Sequence, residues 1–210
     1  MSQNQNKEKL TETYAWNKQD IFVAEILNRK ENGYYVEIGS NEPTLGNNTY
    51  LLEKNYNWQG LSLDNEPVVT DRFNDLRKNK AILADATTFN YLKYFEENNF
   101  PKQIDYLSID VDGNYRFDGI KEKNNSLLSL ITLPLTTYRF SIIHYEHDVC
   151  GNYKNIETRD AQREILTSLD YSLLVSNVEE DWWVDPKILP WPIARTFVHF
   201  DQGKYEIRKD

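Results

Sequence analysis

The feature that most constrains this chain is a regular alternation of short apolar runs with stretches of helical spacing, most of the runs ended by a glycine or an acid. Tyr34–Ile38 reads as a strand ended by Gly39, Gly60–Leu63 as one ended by Asp64, and Ala81–Ala84 as one ended by Asp85. Asp105–Ile109 is ended by Asp110 and Phe140–Tyr145 by Glu146, while Tyr171–Ser176 and Arg195–Phe200 read as a sixth and a seventh strand. Helical spacing covers 20–30, 49–57, 71–78, 89–98, 126–133 and 159–169; in the first of these Phe22/Ile26 and Val23/Leu27 pair at i,i+4. The pattern predicts an α/β fold: a seven-stranded, mostly parallel sheet with helices on both faces. Right-handed crossovers send the C-terminal ends of parallel strands to one edge, where ligands of such sheets bind. That edge should gather a glycine turn and four carboxylates.

At 210 residues the chain is long enough for one domain with a real core. Residues 1–18 read as an N-terminal tail, loosely docked or disordered, and 19–210 as the domain. The formal net charge is −9, and the densest basic run, Arg72–Lys80, is interrupted by Asp75. Polyphosphate is repelled by such a surface, so nucleic acid is not an expected partner. No apolar run reaches the roughly 18 residues of a membrane span. Cys150 is the only cysteine, which excludes an intrachain disulfide and fits a cytoplasmic location.

The first strand runs Val36-Glu37-Ile38-Gly39-Ser40-Asn41. A dinucleotide site would want Gly-x-Gly-x-x-Gly here, with pyrophosphate on the helix N-terminus. Only Gly39 is present, and the acidic Glu37 two residues before it suits a cationic cofactor better than a diphosphate. Asp64, 25 residues after Gly39, is placed to accept hydrogen bonds from ribose hydroxyls, with Asn65 beside it. Asp85 is placed to accept from an adenine amino group, with Ala86 offering its N–H to the ring.

Through Tyr35–Asn41, Asn48–Lys54, Trp58–Asp64, Ile104–Gly113 and Tyr145–His147 the chain resembles the class I S-adenosylmethionine (SAM)-dependent methyltransferases, and within them the FkbM-type sugar O-methyltransferases. The likeness spans about residues 33–200 and implies a Rossmann-like methyltransferase fold. It implies a SAM site drawn from Glu37, Gly39, Ser40, Asn41, Thr49, Asp64, Asn65, Asp85, Ala86 and Asp110.

Methyl transfer to a hydroxyl needs a base, a metal, or both. Asp110, Asp112 and His147 are the candidate bases. Related sugar O-methyltransferases hold a divalent metal at this edge, and carrying their ligands across gives Asp110, Glu146 and His147, a set suited to Mg²⁺ or Mn²⁺. His144 falls inside a strand and reads as packing.

With the sixth strand parallel to the others, residues 177–194 should emerge over the catalytic edge, carrying Trp182, Trp183 and Trp191. Rings beside acids suit a sugar or glycan acceptor; the same rings could instead plug the core or meet a second subunit. Arg159 and Arg163 could reach an acidic group on the acceptor. Three other classes weigh less. An RNA ribose methyltransferase would want a lysine-centred tetrad and a basic groove. A non-catalytic SAM-fold module would have lost its acids. A nucleotide-binding protein would want the missing glycines.

Overall fold

The computed structural model describes residues 10–111, 125–201 and 204–207. One seven-stranded sheet runs β3(Ala81–Leu83)-β2(Gln59–Asp64)-β1(Tyr34–Ile38)-β4(Gln103–Ile109)-β5(Arg139–Glu146)-β7(Glu180–Val184)-β6(Ser172–Ser176). The five strands β3, β2, β1, β4 and β5 are parallel neighbours. β7 is antiparallel to both β5 and β6. β6 therefore points the same way as β5, as the sequence led one to expect, but it lies outside β7 at the sheet's edge.

The count of seven strands agrees with expectation, though the seventh is a different segment. Glu180–Val184 fills that place, whereas Val198–Asp201 (β8) pairs with Lys204–Ile207 (β9) in a separate two-stranded sheet, after a 3₁₀ turn at Arg195–Phe197. Glu-Asp-Trp-Trp-Val has no polar alternation to mark a strand, because all five of its residues are buried.

Period-2 alternation divides the core into two layers. Val36, Ile38, Leu107, Ile109, Ile143, Tyr145 and Trp183 face α4 (Tyr91–Glu97), α5 (Ser126–Thr132) and α6 (Asn155–Ser168). Tyr35, Tyr106, Ile142 and Trp182 face α1 (Gln19–Ile26) and α2 (Tyr50–Tyr56). Local chemistry sets the ends of helices. α3 (Pro67–Leu76) starts with proline, whose missing N–H costs nothing in the first turn. Asn90 caps α4 by accepting from the Lys93 N–H.

Residues 10–18, assigned from sequence to a tail, are bound to the domain. The buried Asp20 carboxylate accepts from Thr13 Oγ1 (2.6 Å) and from the N–H groups of Tyr14 (2.7 Å), Ala15 (3.3 Å) and Ile21 (2.8 Å). Among the described residues no helix is long and apolar enough to cross a membrane.

Candidate active site

Because β3, β2, β1, β4 and β5 are adjacent and parallel, their ends lie side by side. Asp85, Asp64, the Gly39 turn, Asp110 and Glu146 follow one another along one edge. Gly39 has φ +81°, and a Cβ there would stand 1.7 Å from the Asp110 carbonyl oxygen. Glycine is required because the ends of β1 and β4 approach this closely. The N–H groups of Gly39 and Ser40 both donate to Leu63 O, at 2.9 and 3.0 Å. The Ser40 Oγ is buried with no hydrogen-bond partner among the described residues. A buried hydroxyl normally finds a partner, so this one stands out in the turn.

Asn41, itself left-handed at φ 42°, donates its N–H to Asp64 Oδ2 (2.9 Å), and the Glu66 N–H donates to Oδ1 (3.0 Å). The carboxylate is thus fixed in place, and each oxygen retains a second lone pair. Asn65 is exposed next to it. Asp85 is exposed, and Oδ1 accepts from the Thr87 N–H (2.8 Å) and hydroxyl (2.7 Å), which lowers its pKa. Ala86 is buried; its carbonyl accepts from the Tyr91 and Thr132 hydroxyls.

Glu37 and Thr49 lie beneath this edge rather than on it. Glu37 is 3% exposed and accepts from Ser62 Oγ (2.9 Å). Burial pushes its carboxyl up to about 7, against the nearby Arg77 guanidinium and the hydrogen bond from Ser62. The Thr49 hydroxyl donates to Asn47 Oδ1 (3.1 Å) and accepts from Arg77 (3.0 Å). Arg77, buried at the end of α3, also donates to Pro43 O (2.9 Å) and Asn47 Oδ1 (3.0 Å), and pairs with Glu53 at 3.2 Å. This guanidinium ties together the loop between β1 and α2. Nothing in the local sequence pattern singles it out, because its partners come from 24 to 42 positions away.

The end of β5 differs from expectation. His147 is wholly buried, its Nδ1 accepting from the Val149 N–H (3.4 Å) and its Nε2 facing Asp181 Oδ1 at 3.7 Å. Asp181 is held by Arg163 (2.7 Å to each oxygen) and Gln162 (2.8 Å). Against burial, which pushes it up, the hydrogen bonds from Arg163 and Gln162, with the His147 ring nearby, hold the Asp181 carboxyl below the usual range. The β6–β7 hairpin closes over His147, whose own N–H donates to Glu179 O (2.8 Å). The imidazole therefore turns inward, away from the positions of a base or a metal ligand. Asp110 and Glu146 keep their places at the edge, but among the described residues no group of three or more His, Cys, Asp or Glu side chains can hold a metal ion. Among the described residues the donor set, with His147 turned into the core, does not fit Mg²⁺ or Mn²⁺. Asp112 lies outside the described residues.

Nor do the three tryptophans reach the mouth. The chain turns straight back after β6, so Trp182 and Trp183 stand in β7 on opposite faces of the sheet, 0% and 2% exposed. Trp182 packs against His144 with the rings tilted by 36° (4.4 Å between centroids), and His144 in turn bonds the Tyr106 hydroxyl (2.8 Å). Trp191 is half-exposed but donates to Leu173 O (3.0 Å) near the start of β6, at the opposite edge. Arg159 pairs with Asp160 (2.7 Å), and Arg163 is taken by Asp181.

No family model matches the sequence, and no curated protein matches it at the sequence level. Solved structures do match the fold. A Clostridium thermocellum protein assigned as an rRNA-methylase is similar with TM-score 0.53 and 12% identity, covering 83% of this chain and 97% of that one. Human methyltransferase-like protein 13, in complex with SAH, gives 0.49 at 11% identity, with 85% and 87% covered. Aeropyrum pernix fibrillarin, with natively bound S-adenosyl-L-methionine, gives 0.48 at 10%, with 86% and 85% covered. The chain thus has the seven-stranded, Rossmann-like fold of the class I methyltransferases.

Proposed function

We propose that this chain is a SAM-dependent methyltransferase that transfers a methyl group to a hydroxyl of a sugar or sugar-decorated molecule. One observation carries the cofactor reading: Asp85, Asp64 and the Gly39–Ser40 turn stand in that order along adjacent strand ends, with an unpartnered buried hydroxyl at Ser40. Asp85 would accept from the adenine amino group and Asp64 from the ribose hydroxyls. The turn at 39–41 would hold the methionine end, while Glu37 and Thr49 support it from beneath. When bound, SAM supplies an electrophilic methyl group on a sulfonium.

The acceptor would lie beyond β4 and β5. Asp110, at the end of β4, is placed to take the proton that the hydroxyl loses as its oxygen displaces the thioether. Asp112, two positions on, remains a second candidate from the sequence. Neither His147 nor a metal ion enters this reading. The sugar acceptor rests on the sequence resemblance, now without support from Trp182, Trp183 or Trp191. Transfer to RNA ribose is the less favoured reading, because the chain carries −9 and the arginines nearest this edge are paired to acids.

Calorimetry with SAM, S-adenosylhomocysteine and NAD tests the cofactor. Asp64→Ala removes two charge-assisted hydrogen bonds and is expected to cost on the order of 2–4 kcal/mol of S-adenosylhomocysteine affinity. Unchanged affinity in that variant, or preference of the wild type for NAD, would overturn the assignment.

A further inference from the structure

The bound N-terminal segment presents a residue that the reading above leaves unused. Trp16 is 84% exposed, on backbone that is fixed on both sides. Before it, Tyr14 O accepts from the N–H groups of Gly46 (2.7 Å) and Asn47 (3.1 Å). After it, Asn17 Nδ2 donates to Glu179 Oε2 (3.3 Å) and Glu180 Oε1 (3.0 Å). The indole lies over Gly46, where a Cβ would come within 2.4 Å of Nε1.

Those anchors locate the ring. Gly46 and Asn47 belong to the loop that follows the glycine turn, and Asn47 Nδ2 bonds Ser40 O (3.2 Å). Glu179 and Glu180 sit against the end of β5, through His147 N to Glu179 O and the Glu146–Glu180 pairing. The segment thus bridges from the cofactor turn to the acidic end of β5, flanking the place left for the acceptor. A large aromatic held in water on fixed backbone at such a place is the kind of surface that ligands cover. Three arginines that could meet a phosphate are committed elsewhere: Arg72 to Glu42 (2.6 Å), Arg159 to Asp160 and Arg163 to Asp181 (2.7 Å each). Asn17 brings the Glu179 and Glu180 carboxylates beside the segment, and the chain carries −9 overall, which favours an uncharged acceptor over a phosphorylated one.

We propose that Trp16 is the stacking platform for the methyl acceptor, a neutral hydroxyl-bearing ring whose C–H face lies on the indole. The inference rests on the methyltransferase reading and deepens it. The test uses the full chain, with methyl glucoside, galactoside, mannoside and rhamnoside as acceptors and glucose 1-phosphate as a charged counterpart. Trp16→Ala is expected to raise the KM for the glycoside used by about tenfold or more, Trp16→Phe to restore most of it, and both to keep S-adenosylhomocysteine affinity within about twofold. Melting temperature should not move, since the ring is exposed. A wild-type KM in Trp16→Ala, or preference for glucose 1-phosphate, would overturn the proposal. A wild type that binds S-adenosylhomocysteine but methylates none of the glycosides removes the neutral-ring acceptor and leaves methyl transfer standing. A wild type that does not bind S-adenosylhomocysteine removes both.

Discussion

Glu37 is the residue whose sequence signal and physical situation differ most usefully. Its position two before Gly39 was legible, and so was its acidity. Its depth was not, because depth is set by what folds over it: Arg77 from α3, Thr49 and Glu53 at α2, Ser62 from β2 and Tyr35 from its own strand. Burial raises its pKa to about 7. The sign for stability follows. A carboxyl whose pKa is higher in the folded state holds its proton more tightly there, so the unfolded chain binds fewer protons between pH 4.5 and about 7. Stability from this group is present below pH 4.5 and is lost as pH rises to about 7. Glu37→Gln should remove that part of the pH dependence and make the protein relatively more stable at pH 8 than at pH 5, compared with wild type. Urea unfolding at both pH values measures it. Parallel curves for the two proteins would show that Glu37 is ionised throughout, held so by Arg77.

At the scale of elements, the first five strands were readable because each is a short apolar run with a sharp polar stop, and the parallel order followed from the intervening helices. Two helices begin about four residues earlier than their apolar spacing indicates. α3 starts at Pro67 and α6 at Asn155, where the first turn is polar or proline-led. The larger miss is β7. A strand inserted antiparallel between β5 and β6 breaks the β-α rhythm, and its tryptophans look like surface aromatics unless the hairpin at 177–179 is recognised. That hairpin is signalled only by Asn177, whose side chain accepts from the N–H groups of Glu179 (2.7 Å) and Glu180 (2.8 Å). The consequence is measurable. Trp183→Ala should cost roughly 3–5 kcal/mol of stability, as buried large-to-small changes do. Cofactor affinity measured well below the melting point should be unaffected. Weaker S-adenosylhomocysteine binding with normal stability would instead return Trp183 to the site.

For the molecule as a whole, the open question is where the domain begins. Composition alone assigned residues 1–18 to a tail, since the stretch is polar and lacks periodic spacing. The structure attaches residues 10–18 through a carboxylate that local patterning could not reveal, because Asp20 is wholly buried and three of its four donors precede it along the chain. Burial, the largest influence, raises the Asp20 pKa, and the hydrogen bonds from Thr13, Tyr14, Ile21 and Ala15 offset it. Deleting residues 1–18 removes three of its four donors and uncovers apolar core that Leu10 and Tyr14 cover. Hydrogen bonds to a charged group contribute about 1.5–3 kcal/mol each, and water entering the gap recovers part of this. The net loss should be roughly 3–5 kcal/mol on that basis. A chain of this size loses about 2–4 °C per kcal/mol, so the melting temperature should fall by roughly 6–20 °C. Restoring residues 10–18 with Asp20 intact should recover it, whereas restoring them with Asp20→Ala should not, because the segment would have lost its anchor. A deletion that leaves the melting temperature within about 2 °C of wild type would show that residues 10–18 add little to the fold, and the domain would then begin at α1.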